Sequence, residues 1–284
     1  MLIVFRSTAA LIRNLTISAL AGSLLMPIVV SSAGAADAPP KRTDGVDLVI
    51  ELGVGGEVQP RYPGSGDLLF SPYPIISMSY LRLPGLFEFG GGPKTAFSIG
   101  PSFRIIGERD PADEPGLAGT RKLDATYEAG LKAGYEFNFD PIYGAEVIGE
   151  VRGAFGEASG VVGTVGADAI ARPMPMLELR LGPRANLASS DYMGTYFSVS
   201  PGESLASGGR LDAYDAGGGL YSVGLKASAR YEFKPTWFLS ANAGYERFVG
   251  DAKDSPIVST VGDENQFTVG IGLSKQFSLD LFRD

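Results

Sequence analysis

"YEAGLKAGYEFNF", residues 127–139, alternates without a break. Odd positions carry Tyr127, Ala129, Leu131, Ala133, Tyr135, Phe137 and Phe139; even positions carry Glu128, Gly130, Lys132, Gly134, Glu136 and Asn138. Successive side chains of a strand point to opposite faces, so this is a β-strand with one apolar and one charged surface. Leu48–Val58, Phe97–Ile105, Tyr143–Phe155, Leu177–Leu187, Tyr221–Phe233, Trp237–Tyr245 and Phe267–Phe277 repeat the pattern. No comparably long stretch has helical spacing, so the chain reads as all-β.

The N-terminus carries a different signal. Arg6 and Arg13 precede the apolar run "LTISALAGSLLMPIVV", which gives way to "SSAGAADAPP". A basic start, an apolar middle and a small-residue site at Ala33-Gly34-Ala35 predict a secretory signal peptide over residues 1–35, cleaved after Ala35 or Ala36. Pro27 and the small residues behind it argue against a retained helix. A mature chain of roughly 250 residues suits one large β domain. The full chain has net charge −8, and loss of two arginines makes the mature part more acidic, which leaves no basic footprint for nucleic acid. The chain has no Cys and no His. Past residue 35 no apolar stretch reaches the ~20 residues of a membrane helix, so any crossing must be made by a closed barrel.

The connectors fall into two kinds. "GGPK" (91–94), "FDPI" (139–142), "RPMP" (172–175) and "FKPT" (233–236) read as short turns, since Pro belongs at turns and not inside central strands. Residues 59–71, 107–124, 188–217 and 250–264 are long, polar and Gly-rich, with a shorter loop at 156–160. Short turns at one end and long loops at the other is the asymmetry of an outer-membrane barrel. Parity predicts about ten antiparallel strands if residues 72–90 form one strand kinked at Pro84-Gly85. Twelve follow if Pro84-Gly85 is a turn and "TYFSV" (195–199) pairs as a strand.

Period-two alternation alone does not say which face meets a core. In a membrane barrel the apolar face meets lipid and the polar face lines the lumen. Aromatics cluster beside the turns (Tyr135, Phe137, Phe139, Tyr143; Tyr231, Phe233, Trp237), as an interfacial girdle requires. The strands run to the ~10 residues that a tilted span needs. The polar face is rich in Gly and opposite charges. The expected fold is therefore an antiparallel transmembrane β-barrel over residues 47–277, with outer-membrane lipid around it. A periplasmic segment (36–46) precedes it and an extension (278–284) follows. Arginine should be tolerated on the lumen side, at Gly130 or Ser228, better than on the lipid side.

Three stretches resemble the MipA/OmpV family of Gram-negative outer-membrane proteins, whose namesake is the MltA-interacting protein. They are "PRYPGSGD" (60–67), "YFSVSPGESLASGGRLDAYDAGGGL" (196–220) and "GDAKDSPIV" (250–258), the last followed by a strand ending at Phe277. The resemblance covers about residues 48–277. It implies an outer-membrane barrel and, as for the namesake, a scaffold joining a murein transglycosylase to a murein polymerase. "SLDLFRD" (278–284) departs from barrels that end on the aromatic of the last strand.

Without His or Cys, the usual Ser-His and Cys-His nucleophile pairs are excluded. Glu128/Glu136 or Glu146/Glu150 offer paired carboxylates for acid–base work. Their structural reading is an ion network with Lys132, Arg152, Glu178, Arg180, Arg184, Lys226, Arg230 and Glu232, because charges in a narrow lumen must be paired or hydrated. The network reading assigns no catalytic residue, cofactor or metal. The acidic loops "GERDPADE" (107–114) and "GDAKD" (250–254) lack calcium-loop spacing and read as solvated. Three function classes stay open: scaffold, narrow channel, and adhesin or receptor using the long loops. For a scaffold, Leu279, Leu281 and Phe282 are the candidate partner contacts, since they place apolar groups beyond the barrel wall.

Overall fold

The computed structural model describes residues 46–90 and 95–282. Residues 1–35, expected as a signal peptide, and nearly all of the expected periplasmic segment 36–46 lie outside them. The strands are β1 (Leu48–Pro60), β2 (Leu68–Leu83), β3 (Phe87–Gly90), β4 (Thr95–Ile106), β5 (Thr126–Asn138), β6 (Tyr143–Gly156), β7 (Val161–Met174), β8 (Leu177–Ala188), β9 (Gly219–Lys234), β10 (Trp237–Phe248) and β11 (Asn265–Leu279). All pairings are antiparallel, and β1 closes the ring by pairing with both β2 and β11. β3 and β4 both pair with β2, on its edge away from β1, so they share one wall position and the barrel has ten.

The count of ten stands, but the expected route to it does not. Residues 72–90 are not one kinked strand. The Leu86 amide donates to the Leu83 carbonyl at 3.0 Å, and Gly85 has φ 77°, which makes Pro84-Gly85 a tight turn. The "GGPK" segment (91–94), expected as a short turn of its own, lies outside the described residues. The twelve-strand alternative fails because Ser190–Phe197 is a helix, α1, and only Val199 makes an isolated bridge, to Tyr214. Tyr192, Met193, Tyr196 and Phe197 fall on one side of that helix and are buried, a spacing that wins over the short alternation of "TYFSV".

Polarity is inverted relative to a water-soluble domain. Leu131 is 60% exposed on the outer wall, while its neighbour-but-two Glu128 is 1% exposed inside. Such a wall is stable only against lipid. Two aromatic girdles bound the apolar band. At the turn end Tyr135 stacks edge-on with Phe137 at 4.9 Å, and the Lys275 ammonium sits between Trp237 and Phe277, at 5.3 and 5.1 Å. At the loop end Tyr127 meets Phe155 and Tyr245 meets Phe267, at 6.0 and 5.1 Å. Amphipathic rings and a snorkelling Lys suit both interfaces.

The lumen-side glycines have a steric cause. A Cβ at Gly130 would run into the Val151 carbonyl, and one at Gly182 into the Ala167 carbonyl, both on the adjacent strand. Strands in a small barrel must bend sharply, and a close backbone approach leaves room only for Gly. The expectation that Gly130 accepts Arg is thereby overturned. Gly130→Ala should cost about 1–3 kcal/mol through overpacking. Gly149→Ala should be near neutral, because nothing lies within 4 Å of its Cβ position. Unfolding in urea, followed by heat-modifiable gel migration, compares the two; equal costs would overturn the explanation.

Among the described residues, the large apolar core lies in the loops. Residues 61–67, 107–125, 157–160, 189–218 and 249–264 converge over the loop end, carrying α1, α2 (Pro201–Ala206), α3 (Gly250–Asp254) and a π-turn at Ile257–Val261. Tyr62, Leu117, Tyr192, Phe197, Leu211, Ile257 and Val258, each at most 3% exposed, pack there onto Tyr221 and Phe248 from the barrel mouth. The long loops form a cap, and in the two acidic stretches read as solvated Glu108, Asp113, Asp251 and Asp254 are exposed on it while Arg109 and Ala252 are buried.

Candidate functional site

Strand register decides which lumen charges meet. It sets Glu136 directly opposite Glu146 on β5 and β6, a destabilising like-charge pair. Arg180 from β8 resolves it: one nitrogen takes Glu136 at 2.8 Å, another Glu146, and Nε donates to Glu178 at 2.7 Å. Arg172 adds contacts to Glu136 and Glu178 at 2.6 and 2.7 Å. Nearer the loop end Arg152 joins Glu128, at 2.7 Å, to Glu150, which also accepts from Ser102. Arg184 binds Asp168 through two bonds of 2.7 and 2.8 Å, and Arg230 binds Glu51 at 2.6 Å. Fork-shaped guanidinium pairing of this kind fixes geometry as well as charge.

Of the residues named from sequence, Glu128, Glu136, Glu146, Glu150, Arg152, Glu178, Arg180, Arg184 and Arg230 are thus ion-paired. Glu232 instead accepts from the Thr236 amide, at 2.8 Å in the β9–β10 turn. Lys132 and Lys226 enter no ion pair within 4 Å among the described residues. The ion network named from sequence left out Glu51, Asp168 and Arg172. Arg172 was placed in a turn, but β7 runs on to Met174 and turns its side chain inward. Its signal was parity with Asp168, blurred by the weak outer face Val165, Ala167, Ala169 and Ala171.

The carboxylate of Glu128 links lumen and cap, because its second oxygen accepts from Tyr192 Oη of α1 at 2.9 Å. Within the cap Arg109 is 1% exposed. Its Nη1 donates to the Tyr196 carbonyl at 2.9 Å, and its guanidinium lies 5.8 Å from the Tyr62 ring centre. Nε and Nη2 have no acceptor among the described residues. Burial pushes the Arg109 pKa down and that of Tyr196 up to about 12. Buried donors without partners are costly, so Arg109→Met should stabilise the cap by about 1 kcal/mol, seen as slower proteolysis of the loops. Faster cleavage would show that the cation holds the cap together. The acidic loops are tied into this layer: Asp110 pairs with Lys122 at 3.0 Å, and the Asp251 carboxylate accepts from the Gly217 amide at 2.7 Å.

At the turn end the lumen opens into a cavity of about 220 Å³ lined by Glu51, Tyr73, Glu178, Arg180 and Arg230. The last strand continues past Phe277, and Leu279 pairs with Leu48 in the wall. Asp47 accepts the amides of Leu281 and Phe282, at 3.0 Å each, and the Arg82 guanidinium at 2.7 Å. The backbone of the tail is pinned to the rim while the Leu281 and Phe282 side chains remain 48% and 47% exposed. Removal of the whole tail would therefore disturb the wall.

The sequence profile of MltA-interacting protein MipA matches residues 52–277. No curated protein matches the chain. Similar solved structures are an outer-membrane channel of Pseudomonas putida F1 (12% identity, TM-score 0.45, covering 87% of this chain and 100% of that one) and the channel DcaP of Acinetobacter baumannii (11%, 0.33, 85% and 100%). Neisserial surface protein A follows at 11% identity and TM-score 0.27, covering 81% and 97%.

Proposed function

The chain belongs to the MltA-interacting protein (MipA) family, and we propose that this outer-membrane barrel is a closed, non-catalytic scaffold that works through its periplasmic rim. The observation that carries this reading is the cap. Five loops bury an apolar core across one mouth, and arginine pairs brace the lumen beneath it. A ten-strand barrel filled in this way offers little conduit. The candidate carboxylates Glu128, Glu136, Glu146 and Glu150 are held by guanidinium groups and offer no free acid–base pair. The turn end remains as the face on which partners can act.

A murein transglycosylase is the first partner to test, following the name of the family, and a murein polymerase is the second, following what the resemblance implies. Leu86 is 81% exposed on the Pro84-Gly85 turn and, with Leu281 and Phe282, gives the rim apolar side chains beside polar turns. The test is affinity purification of the full chain in mild detergent, followed by identification of bound proteins. Recovery of a murein transglycosylase that falls with Leu281→Ser/Phe282→Ser, in a barrel still folded by heat-modifiable migration, is the expected result. Recovery of no murein enzyme, together with steady conductance in planar bilayers, would replace the scaffold with a channel.

A further inference from the structure

We propose that the wall between β2 and β4 is a lateral port, through which a single-chain zwitterionic amphiphile reaches the turn-end cavity from the bilayer. Other neighbouring strands pair along most of their length, whereas β2 and β4 share one bridge, Met78 to Ile99, among the described residues. Three prolines account for this. The Met78–Ile99 register, carried onward, sets Ile76 opposite Pro101, Pro74 opposite Phe103 and Pro72 opposite Ile105. β1 pairs with β2 without a break past Pro72 and Pro74, and β5 pairs with β4 without a break past Pro101. A proline nitrogen inside such a ladder must point to the opposite edge, so all three face the seam. Each of the three pairs therefore lacks one amide donor and can form at most one of its two bonds.

The missing donors leave carbonyls to satisfy. A side chain answers for Ile105: buried Gln59 of β1 donates through Nε2 to its carbonyl at 2.7 Å and closes the loop end of the seam. The Ile76 and Phe103 carbonyls receive no donor from the prolines opposite them. At membrane depth such backbone is tolerated against protein or a water-filled cavity. A cavity lies behind it, since Tyr73 and Ile75 of β2 line the space of about 220 Å³ at the turn end. The large side chains do not plug the seam. The Phe70 ring covers Gly56 and the Tyr73 ring covers Gly55, so both lean toward β1. Prolines on both edges deny an inserted peptide strand its bonds, whereas an acyl chain needs none. In the cavity Glu51 and Glu178 stand with Arg180 and Arg230, two charges of each sign, beside the hydroxyls of Ser228 and Ser240. That balance suits a head group carrying both signs, and an ammonium also supplies the donor that the Ile76 carbonyl lacks. The port stands apart from the scaffold reading, which needs only the rim.

The test is photo-cross-linking on the full chain in dioleoylphosphatidylcholine vesicles. The probe is a lysophosphatidylethanolamine with a diazirine beside its head group. Label is expected on the inward residues Tyr73 and Ile75, which lipid around a closed wall cannot touch. Pro72→Val/Pro74→Val returns two donors to the seam and should lower that label about fivefold. Ser228→Phe, which fills the cavity and leaves the seam alone, should lower it as well. Leu131→Met, elsewhere on the outer wall, should leave it unchanged. An anionic lysophosphatidylglycerol probe should label Tyr73 and Ile75 less than the zwitterionic one. Label confined to outward residues such as Phe70 and Phe103 overturns the proposal. So does label undiminished by the two valines, or stronger label from the anionic probe. Heat-modifiable migration of each variant separates a closed port from lost folding.

Discussion

Phe197→Ala is expected to cost the cap about 3–5 kcal/mol, the usual range for deleting a buried Phe side chain. Phe197 is fully buried, meets Phe248 edge-on at 5.4 Å and Tyr221 at 6.4 Å, and so ties α1 to two strands at the barrel mouth. Its carbonyl accepts from Ser255 Oγ at 2.6 Å, which joins α1 to the α3 loop. The wall does not depend on this residue, so the barrel should still assemble and the loss should fall on the loops. Two measurements check it: protease sensitivity of residues 189–218 should rise, and planar-bilayer conductance should rise above that of the unaltered protein. A variant whose conductance does not rise despite cleaved loops would mean that the lumen ion network, not the cap, blocks passage.

Leu131→Arg and Leu225→Arg should each weaken the inserted barrel by about 2–4 kcal/mol, the cost of a cation facing the bilayer midplane. Both side chains are exposed on the outer wall, at 60% and 53%, between the two aromatic girdles. Leu131→Met and Leu225→Met keep the apolar contact and should be nearly silent. Urea unfolding in lipid vesicles gives the difference. Arg variants as stable as the Met variants would place this face away from lipid and undo the membrane assignment.

Much of the wall was legible in sequence because β structure encodes facing in the simplest period there is. Tyr127 to Phe139 needed only the alternation of odd and even positions to show which residues share a side, and the same rule put Glu128, Arg180 and Lys226 inside. The rule weakened where the outer face was small. Val165, Ala167, Ala169 and Ala171 carry little hydrophobic contrast, so β7 and its inward Asp168 and Arg172 stayed hidden. It misled at Pro84-Gly85, where a turn and a kink share the same residues and only the pairing of β3 with β2 separates them.

Sequence by itself determined the barrel, its lipid-facing surface and its division into a turn end and a loop end, because each follows from local spacing or composition. Tertiary structure alone decided which charges pair, which lysines remain open and that the loops close the mouth. Glu136 meets Arg180 across 44 residues, and Tyr192 meets Glu128 across 64. Such partners are chosen by strand register and barrel closure, which no local pattern records. The cap residues share no period at all. Tyr62, Leu117, Phe197, Leu211 and Ile257 come from four separate loops, and each is a scattered apolar side chain until the barrel rim holds those loops over a single opening. Burial then follows from convergence, and it exists only once the ring is closed.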